Sequence, residues 1–213
     1  MITNIDNLKA GICRWNQLNF PPDMLNSEYG RMYHSRAAGV TQQWWSSAVD
    51  RLGRWRAYRG PKPPNSHYEI TQRGLVCLPG ITAEYARLSS LSATEPNITE
   101  LSWEDVSPLF ALAYGIKPSF VFASKFCHFI FPKLFIVMDN KLTEVIEYEF
   151  YWRGMKDEWV RFAQKQDAVT LLKDSIRSGG PVHPLYPWET KIMELSHAGY
   201  KAPVPATAQG ASV

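Results

Sequence analysis

The chain has 213 residues and a mass of 24.3 kDa, which is enough for one domain with an apolar core of its own. Hydrophobic residues make up 45% of the chain and charged residues 20%, a composition that excludes disordered and collagen-like chains. The net charge is only +3, but residues 1–62 hold nine basic and four acidic side chains, so this first third carries +5 and the remainder −2.

Cysteine usage and hydropathy predict a cytoplasmic protein. The three cysteines, Cys13, Cys77 and Cys127, cannot all pair, and none lies in a C-x-x-C motif, which is typical of reduced thiols. The first residues lack the basic-then-apolar order of a secretory signal. The most apolar stretch, residues 120–138, is interrupted by lysines, a histidine and a proline, so we expect a core segment and not a membrane span.

Helical spacing of apolar residues predicts a mostly α-helical protein. Over the first half of the chain we expect, in order, an irregular segment over 1–38, a helix over 40–58, a proline-rich lobe junction at 60–66, a helix or a strand over 66–78, a helix over 81–93 and a helix from Ser102 to Ala113. The string Leu78-Pro79-Gly80-Ile81 is interpreted as a turn that caps a helix.

The second half of the chain continues the helical pattern. We expect, in order, a helix from Pro118 to Ile130, an extended run from Leu134 to Asp139, a helix over 140–150, a long amphipathic helix over 155–178, a loop over 179–187 and a last helix over 187–199 capped by Gly199. These elements predict a single helical domain over 1–200, followed by a flexible tail over 201–213.

The basic region of the first third is densest in Arg51, Arg54, Arg56, Arg59 and Lys62, and tryptophans are interleaved with these residues. Cations bind phosphates and ring faces stack on unpaired bases, so the pattern fits a nucleic-acid surface. It also fits an amphipathic helix that buries its tryptophans and exposes its arginines. The residues alone leave both interpretations open.

Several classes of enzyme lack support from sequence motifs. The chain has no phosphate loop, no dinucleotide-binding glycine motif, no hydrolase elbow and no zincin motif. Its five histidines show no metal-ligand spacing with one another or with the cysteines. We therefore expect neither a metal nor another cofactor.

The segment from residue 115 to residue 146 holds the residues best suited to chemistry. An apolar helix that carries Lys125 leads into an apolar run that ends at Asp139. Apolar surroundings raise the pKa of a carboxyl group and lower the pKa of a lysine, unless the two lie close together. Lys125 and Asp139 therefore form either a buried structural ion pair or part of a functional site, and the residue types leave both open.

This segment resembles the catalytic segment of the helix-hairpin-helix DNA glycosylases, above all the 8-oxoguanine DNA glycosylase fold group. Gly115-Ile116-Lys117-Pro118 stands at the place of the DNA-binding hairpin, Ala123-Ser124 at a characteristic helix step, and Ile136-Val137-Met138-Asp139 at the run that delivers the catalytic aspartate. The hairpin lacks the second glycine of the family. Val121 stands where bifunctional members carry their Schiff-base lysine, and Lys125 lies one turn later on the same helix face.

The resemblance implies a compact helical bundle with two lobes around a cleft. It also implies a DNA glycosylase that flips a damaged or modified base out of DNA and cleaves its N-glycosidic bond, in DNA repair or in defence against modified phage DNA. Asp139 would stabilise the positive charge that develops on the sugar. Lys125 is either a nucleophile that forms a Schiff base, with associated lyase activity, or a structural partner of Asp139.

Further site residues follow from the same resemblance. The candidates for DNA contacts are Lys117, Asn140, Lys141, Arg51, Arg54, Arg56 and Arg59. The candidates for the base pocket, each of which also fits a place in the core, are His128, Trp44, Trp45 and Trp152.

Two other functions stay open at this point. The same scaffold could serve as a DNA-binding module without catalysis, or the chain could be an interaction domain with no role in nucleic-acid binding. For the glycosylase we expect a monomer whose partner is DNA that contains a modified base, with no membrane partner.

Overall fold

The computed structural model describes residues 1–18, 25–58, 66–138, 146–176 and 180–200. Within those ranges the chain forms helices and no β-strand, which confirms the predicted mostly helical class. The helices are α1 (Ile5–Gln17), α2 (Ser27–Ser35), α3 (Gln42–Arg54), α4 (His67–Ser90), α5 (Trp103–Ile116), α6 (Phe120–Ile130), α7 (Tyr148–Arg161), α8 (Lys165–Ile176) and α9 (Trp188–Tyr200). No helix in these ranges has both the length and the apolar character needed to span a bilayer.

Short polar residues set the start of several helices. A side-chain oxygen accepts a backbone N–H bond from the first turn of its helix, which satisfies one of the unpaired donors there, at Asn4, Thr41, Ser66, Ser102 and Ser119. At α5 the bond is reciprocal, because the Asp105 carboxylate accepts from the backbone N–H of Ser102. Helix α6 begins at Phe120, so Pro118 lies before the helix and not in its first turn as predicted.

The prediction of an irregular segment over 1–38 is wrong, because α1 and α2 lie within it. Helix α1 packs directly against α9, the last helix of the chain. The two backbones approach so closely that a Cβ atom on Gly11 would lie 1.9 Å from the carbonyl oxygen of Leu195. A Cβ atom on Gly199 would lie 1.9 Å from the carbonyl oxygen of Asn7. Gly199 is therefore a packing residue inside α9 and not the predicted cap.

Helix α4 runs unbroken for 24 residues through Pro79, where the sequence predicts two elements separated by a turn. Proline removes one backbone donor and usually breaks a helix. Tertiary packing on both halves of α4 offsets that cost. Ile70 and Ile81 are fully buried, and a Cβ atom on Gly74 would lie 1.9 Å from the ring of Trp45 in α3. Propensity is a weak guide where such packing competes with it.

The predicted helix over 155–178 is two helices, α7 and α8, with a break between them. Phe162 ends α7 in an extended conformation and is buried, with its ring 5.9 Å from that of Trp159. The gain from burying this ring competes with continuing the helix. The predicted helix over 140–150 falls mainly outside the described residues, as do most of the junction at 60–66 and the tail over 201–213.

The core is built around α6. Nine of its eleven residues are buried, and burial continues through the run that follows it, to Met138. Trp44 and Trp45 of α3 pack edge-on against Phe126 of α6. The stretch over 120–138 is thus a core segment, as predicted. The described cysteines are free thiols, and Cys127, inside this segment, is fully buried.

Candidate functional site

One side chain connects the motif Ala123-Ser124 in α6 to the run over 134–138 that leads to Asp139. The hydroxyl of Ser124 in α6 accepts a hydrogen bond from the backbone N–H of Met138 at 3.1 Å and donates to the carbonyl oxygen of Val121 at 3.2 Å. Ser124 and Met138 are both fully buried. The residue before Asp139 is therefore attached to the helix that carries Lys125.

The run from residue 134 to residue 138 has no strand partner among the described residues, so side chains must satisfy its backbone. Its carbonyl oxygens accept hydrogen bonds from aromatic side chains of α6 and α7. The bonds are Trp152 Nε1 to Leu134 at 2.9 Å, His128 Nδ1 to Phe135 at 2.6 Å, Tyr148 Oη to Ile136 at 2.7 Å and Tyr151 Oη to Val137 at 3.4 Å. Four successive carbonyls are thus fixed up to the residue before Met138.

Asp139 itself lies outside the described residues, together with Asn140, Lys141 and Arg59. What the structure describes is the approach to Asp139, namely the buried run that ends at Met138. The catalytic and DNA-binding roles of these four residues stay predictions.

Lys125 has a visible structural role. Its side chain is partly buried, and Nζ donates a hydrogen bond of 2.6 Å to the carbonyl oxygen of Trp55, the residue that caps the C-terminal end of α3. A cation stabilises this end of a helix because the last carbonyls are unpaired and carry partial negative charge. The nucleophilic role of Lys125 stays a prediction beside this one.

The four candidates for the base pocket all lie in the core. Trp44, Trp45, Trp152 and His128 are each less than 5% exposed. The indole of Trp45 donates to the carbonyl of Thr71 at 3.0 Å, and that of Trp152 donates to the run described above. Of the two alternatives that the sequence left open, the structure favours the core for all four.

His128 is held in its neutral form. The Phe135 carbonyl can only accept, so Nδ1 carries the proton, and Nε2 then accepts from the Tyr29 hydroxyl at 2.9 Å. Complete burial lowers the pKa of His128 to about 3, and the positive charges of Lys191 and Arg36 add to this effect, while the hydrogen bond to Phe135 opposes it. His128 is therefore a buried hydrogen-bonding residue and not a proton carrier at neutral pH.

The arginines of the basic region divide into two kinds. Arg51 is mostly buried, and its Nε atom lies 2.6 Å from Glu28 Oε1, while Nη1 donates to Ser35. This geometry argues against the predicted DNA contact at Arg51. Arg54 and Arg56 are exposed at the end of α3, where the amphipathic pattern places charged residues. Arg56 has φ of 53°, a left-handed conformation that residues other than glycine rarely adopt.

The turn between α5 and α6 carries Lys117, which interacts electrostatically with a cation of α4. Lys117 caps the C-terminal end of α5, and its pKa is lowered by burial and, to a smaller extent, by the positive charge of Arg73 in α4. Gly115 is exposed, and a Cβ atom there would meet no atom within 4 Å. Sequence reasoning missed Arg73, since only the packing of α4 against α5 brings it near Lys117.

The described residues contain no group of three or more histidine, cysteine, aspartate or glutamate side chains that could hold a metal ion. Comparison of the chain with protein-family models, with curated proteins and with solved structures found no match. The resemblance to helix-hairpin-helix glycosylases therefore depends on the motif residues alone.

Proposed function

We propose that the protein is a DNA glycosylase that cleaves the N-glycosidic bond of a damaged or modified base, with Asp139 as its catalytic carboxylate. The observation that carries the proposal is the fixed run before Asp139. Four of its carbonyls bind side chains of α6 and α7, and the N–H of Met138 binds Ser124. A catalytic group needs this kind of support, because small errors in its position cost much of the rate.

The chemistry requires one carboxylate in a poorly hydrated site. Breaking the N-glycosidic bond builds positive charge on the sugar, as in other glycoside cleavage. In a poorly hydrated site a carboxylate attracts that charge more strongly than it would in water. The same carboxylate can orient the attacking water. Lys125 on the neighbouring helix is the second candidate for a role in the reaction, as a nucleophile or as a partner of Asp139.

DNA binding is assigned to four cations that are exposed or partly exposed. Lys117 lies at the α5–α6 turn, the place of the family's hairpin, its electrostatic neighbour Arg73 lies in α4, and Arg54 and Arg56 lie at the end of α3. Arg51 is left out because its side chain is mostly buried against Glu28. In this proposal the helices form the two lobes of a helix-hairpin-helix glycosylase, and the duplex lies across the cleft between them.

The test is base release. The full chain is incubated with oxidised, alkylated, deaminated and phage-modified DNA, and the released bases are identified by mass spectrometry. We expect at least one base to be released, and Asp139→Asn to reduce the rate by about 100-fold or more. The matched control is Asp157→Asn, which alters an exposed carboxylate of α7 and should leave the rate unchanged. Release at the full rate by Asp139→Asn would refute the mechanism.

The hairpin is tested separately with Gly115→Ala. An added methyl group has open space at this position, so the free energy of unfolding should not fall. We expect weaker binding to duplex DNA, since the methyl group would stand between the turn and a phosphate. Unchanged DNA affinity in a stably folded variant would remove the α5–α6 turn from the proposed interface.

A DNA-binding module without catalysis is the second candidate. The burial of all four base-pocket candidates favours it, since a module needs no pocket for a flipped base. It predicts duplex binding that weakens steeply with salt, because phosphate contacts release counterions, together with no base release from any modified DNA.

A further inference from the structure

A second group of polar residues lies outside the proposed glycosylase site, around a buried arginine. Arg36 follows α2 directly and is 3% exposed. Its Nη2 atom lies 2.6 Å from Glu95 Oε1, but Nη1 is buried with no hydrogen-bond partner among the described residues. Leaving a donor of a charged group buried and unpaired is costly, so such an atom usually indicates a bound water, ion or ligand.

The guanidinium of Arg36 is held in place by two aromatic rings. Its central carbon lies 4.5 Å from the ring centroid of Tyr33 and 5.6 Å from that of Phe131. Both rings are themselves fixed, because the Tyr33 hydroxyl donates to the carbonyl of Leu185 at 2.8 Å and Phe131 stacks on Tyr85. The free Nη1 donor is therefore presented from a rigid support.

The surroundings of Arg36 hold several charged and titratable groups. His183 has a lowered pKa, first because of its partial burial and then because of the positive charges of His34, Arg36 and Lys133. Two carboxylates lie near the same group. Burial raises the pKa of Glu95, and the positive charges of its partner Arg36 and of Lys133 oppose that shift. Burial also raises the pKa of Tyr33, and the negative charges of Glu95 and Glu189 add to that effect. With neutral histidines the fixed charges balance, so any charge on the histidines gives this cluster an excess of positive charge.

The hydrogen bonds of His183 determine which of its nitrogens is available as a donor. Its Nδ1 atom accepts from the backbone N–H of Leu185 at 3.2 Å, so the neutral ring carries its proton on Nε2. The ring stacks on Tyr33 with centroids 4.9 Å apart, which fixes its plane. His183 thus adds an oriented N–H donor to the group.

We propose that Arg36, Lys133 and His183 form a binding site for a phosphate group. They come from three separate parts of the chain: the end of α2, the segment after α6 and the segment before α9. Together they offer guanidinium, ammonium and imidazole donors, which suit an oxyanion with several acceptor oxygens such as phosphate. Since Nη2 of Arg36 pairs with Glu95, its contribution is the unpaired Nη1 donor, and Lys133 supplies a point charge. The site does not depend on the glycosylase activity. Its ligand is either a phosphodiester of a DNA strand or the phosphate of a free nucleotide.

The test follows the histidine resonances of the full chain by NMR while inorganic phosphate is added. Chloride at the same ionic strength is the control. A bound anion favours the protonated ring, so phosphate should raise the pKa of His183, whereas chloride should not. The affinity should increase as the pH falls, because protonation of His183 adds positive charge to the site. A pKa of His183 that responds equally to phosphate and to chloride would overturn the proposal.

Variants distinguish phosphate binding at this site from a general effect of the positive charge of the protein. Lys133→Gln should weaken phosphate binding by about tenfold, the effect of one charge-assisted contact. Lys173→Gln in α8, which removes an exposed lysine outside the cluster, should leave binding unchanged. Equal effects of the two variants would contradict the site. Arg36→Lys keeps the charge beside Glu95 but loses the fork, and it should bind more weakly. Because Lys133 is partly exposed, its variant keeps the test valid even where Arg36→Lys fails to fold.

Competition identifies the source of the phosphate. Displacement of phosphate by deoxyadenosine monophosphate supports a free nucleotide, and displacement only by a single-stranded or duplex oligonucleotide supports the DNA backbone. If neither displaces bound phosphate, the proposal of a phosphate-ester site is wrong. Base release is measured on the same variants. Loss of phosphate binding with normal base release shows that the two sites fail independently.

Discussion

Helix α6 contacts two regions that differ in the burial and hydrogen bonding of their polar groups. The run over 134–138 is buried, and its carbonyls bind side chains of α6 and α7. The end of α3 is partly exposed and basic, and Arg56 there has an unfavourable backbone conformation. Satisfied buried groups contribute to stability and position, whereas residues that break a local rule at the surface are retained for another reason, such as binding. The comparison therefore separates the supporting core of the proposed site from its proposed contact surface.

The largest expected effect comes from the buried contacts, at Gly199. The change Gly199→Ala would place a methyl group 1.9 Å from the Asn7 carbonyl oxygen and 2.6 Å from the Gly11 nitrogen. Neither backbone can yield easily, so we expect the free energy of unfolding to fall by about 3 kcal/mol or more. Gly154→Ala in α7 is the control, since its methyl group meets open space, and it should raise stability by about 0.5–1 kcal/mol. Urea unfolding measures both, and similar effects would contradict the close α1–α9 contact.

A smaller loss is expected from Ser124→Ala. This variant leaves the buried N–H of Met138 without an acceptor, and we expect stability to fall by about 2 kcal/mol. Ser107→Ala in α5 is the control, because the Ser107 hydroxyl only donates to the carbonyl of Glu104 within its own helix. It should change stability by less than about 0.5 kcal/mol. If Ser124→Ala behaves like this control, the run is held without Ser124, and the support proposed for Asp139 loses one of its bonds.

At the exposed end of α3, the change Arg56→Gly should raise stability and weaken DNA binding. Arg56→Gly relieves a left-handed conformation, so we expect stability to rise by about 1 kcal/mol. DNA affinity should fall, because a cation is removed, and the salt dependence of binding should become shallower. Arg56→Ala is the matched variant, since it removes the same charge without relieving the strain. Arg56→Gly that binds DNA as tightly as the natural chain would show that Arg56 is retained for some other reason.

Local sequence patterns predicted part of this structure well. The helices α3, α5 and α6 lie close to where apolar spacing indicates them, α5 starts at Ser102 as predicted, and the apolar stretch over 120–138 is buried as expected. Ser124 entered the sequence analysis only through the family resemblance, as one residue of the step Ala123-Ser124. Its hydrogen bond to Met138 joins two motif segments 14 residues apart.

The prediction of an irregular segment over 1–38 is wrong because it overlooked local helix signals: Asn4 caps α1, and Leu8 and Ile12 are buried at helical spacing. Only the close contact of α1 with α9 depends on distant parts of the chain.

Other features could not be predicted because they depend on contacts between distant parts of the chain. The prediction of a turn at Pro79 is wrong because α4 packs against α3 and α5. Arg51 looks like its exposed neighbours in the sequence, and only the position of Glu28 makes it structural.

The sequence by itself determined a mostly helical chain and the buried character of the segment over 120–138. Local periodicity and residue type suffice for these two features, because each follows from a short stretch of chain. The choice of Asp139 as the residue on which the proposed function depends came from the resemblance of a short motif to a known family. The tertiary structure decided which charged side chains form ion pairs within the fold and where the four base-pocket candidates lie. It also showed that Arg36 has an unpaired donor among other charged groups. Burial and hydrogen-bond satisfaction are properties of contacts between segments, so they become visible only once the helices are packed.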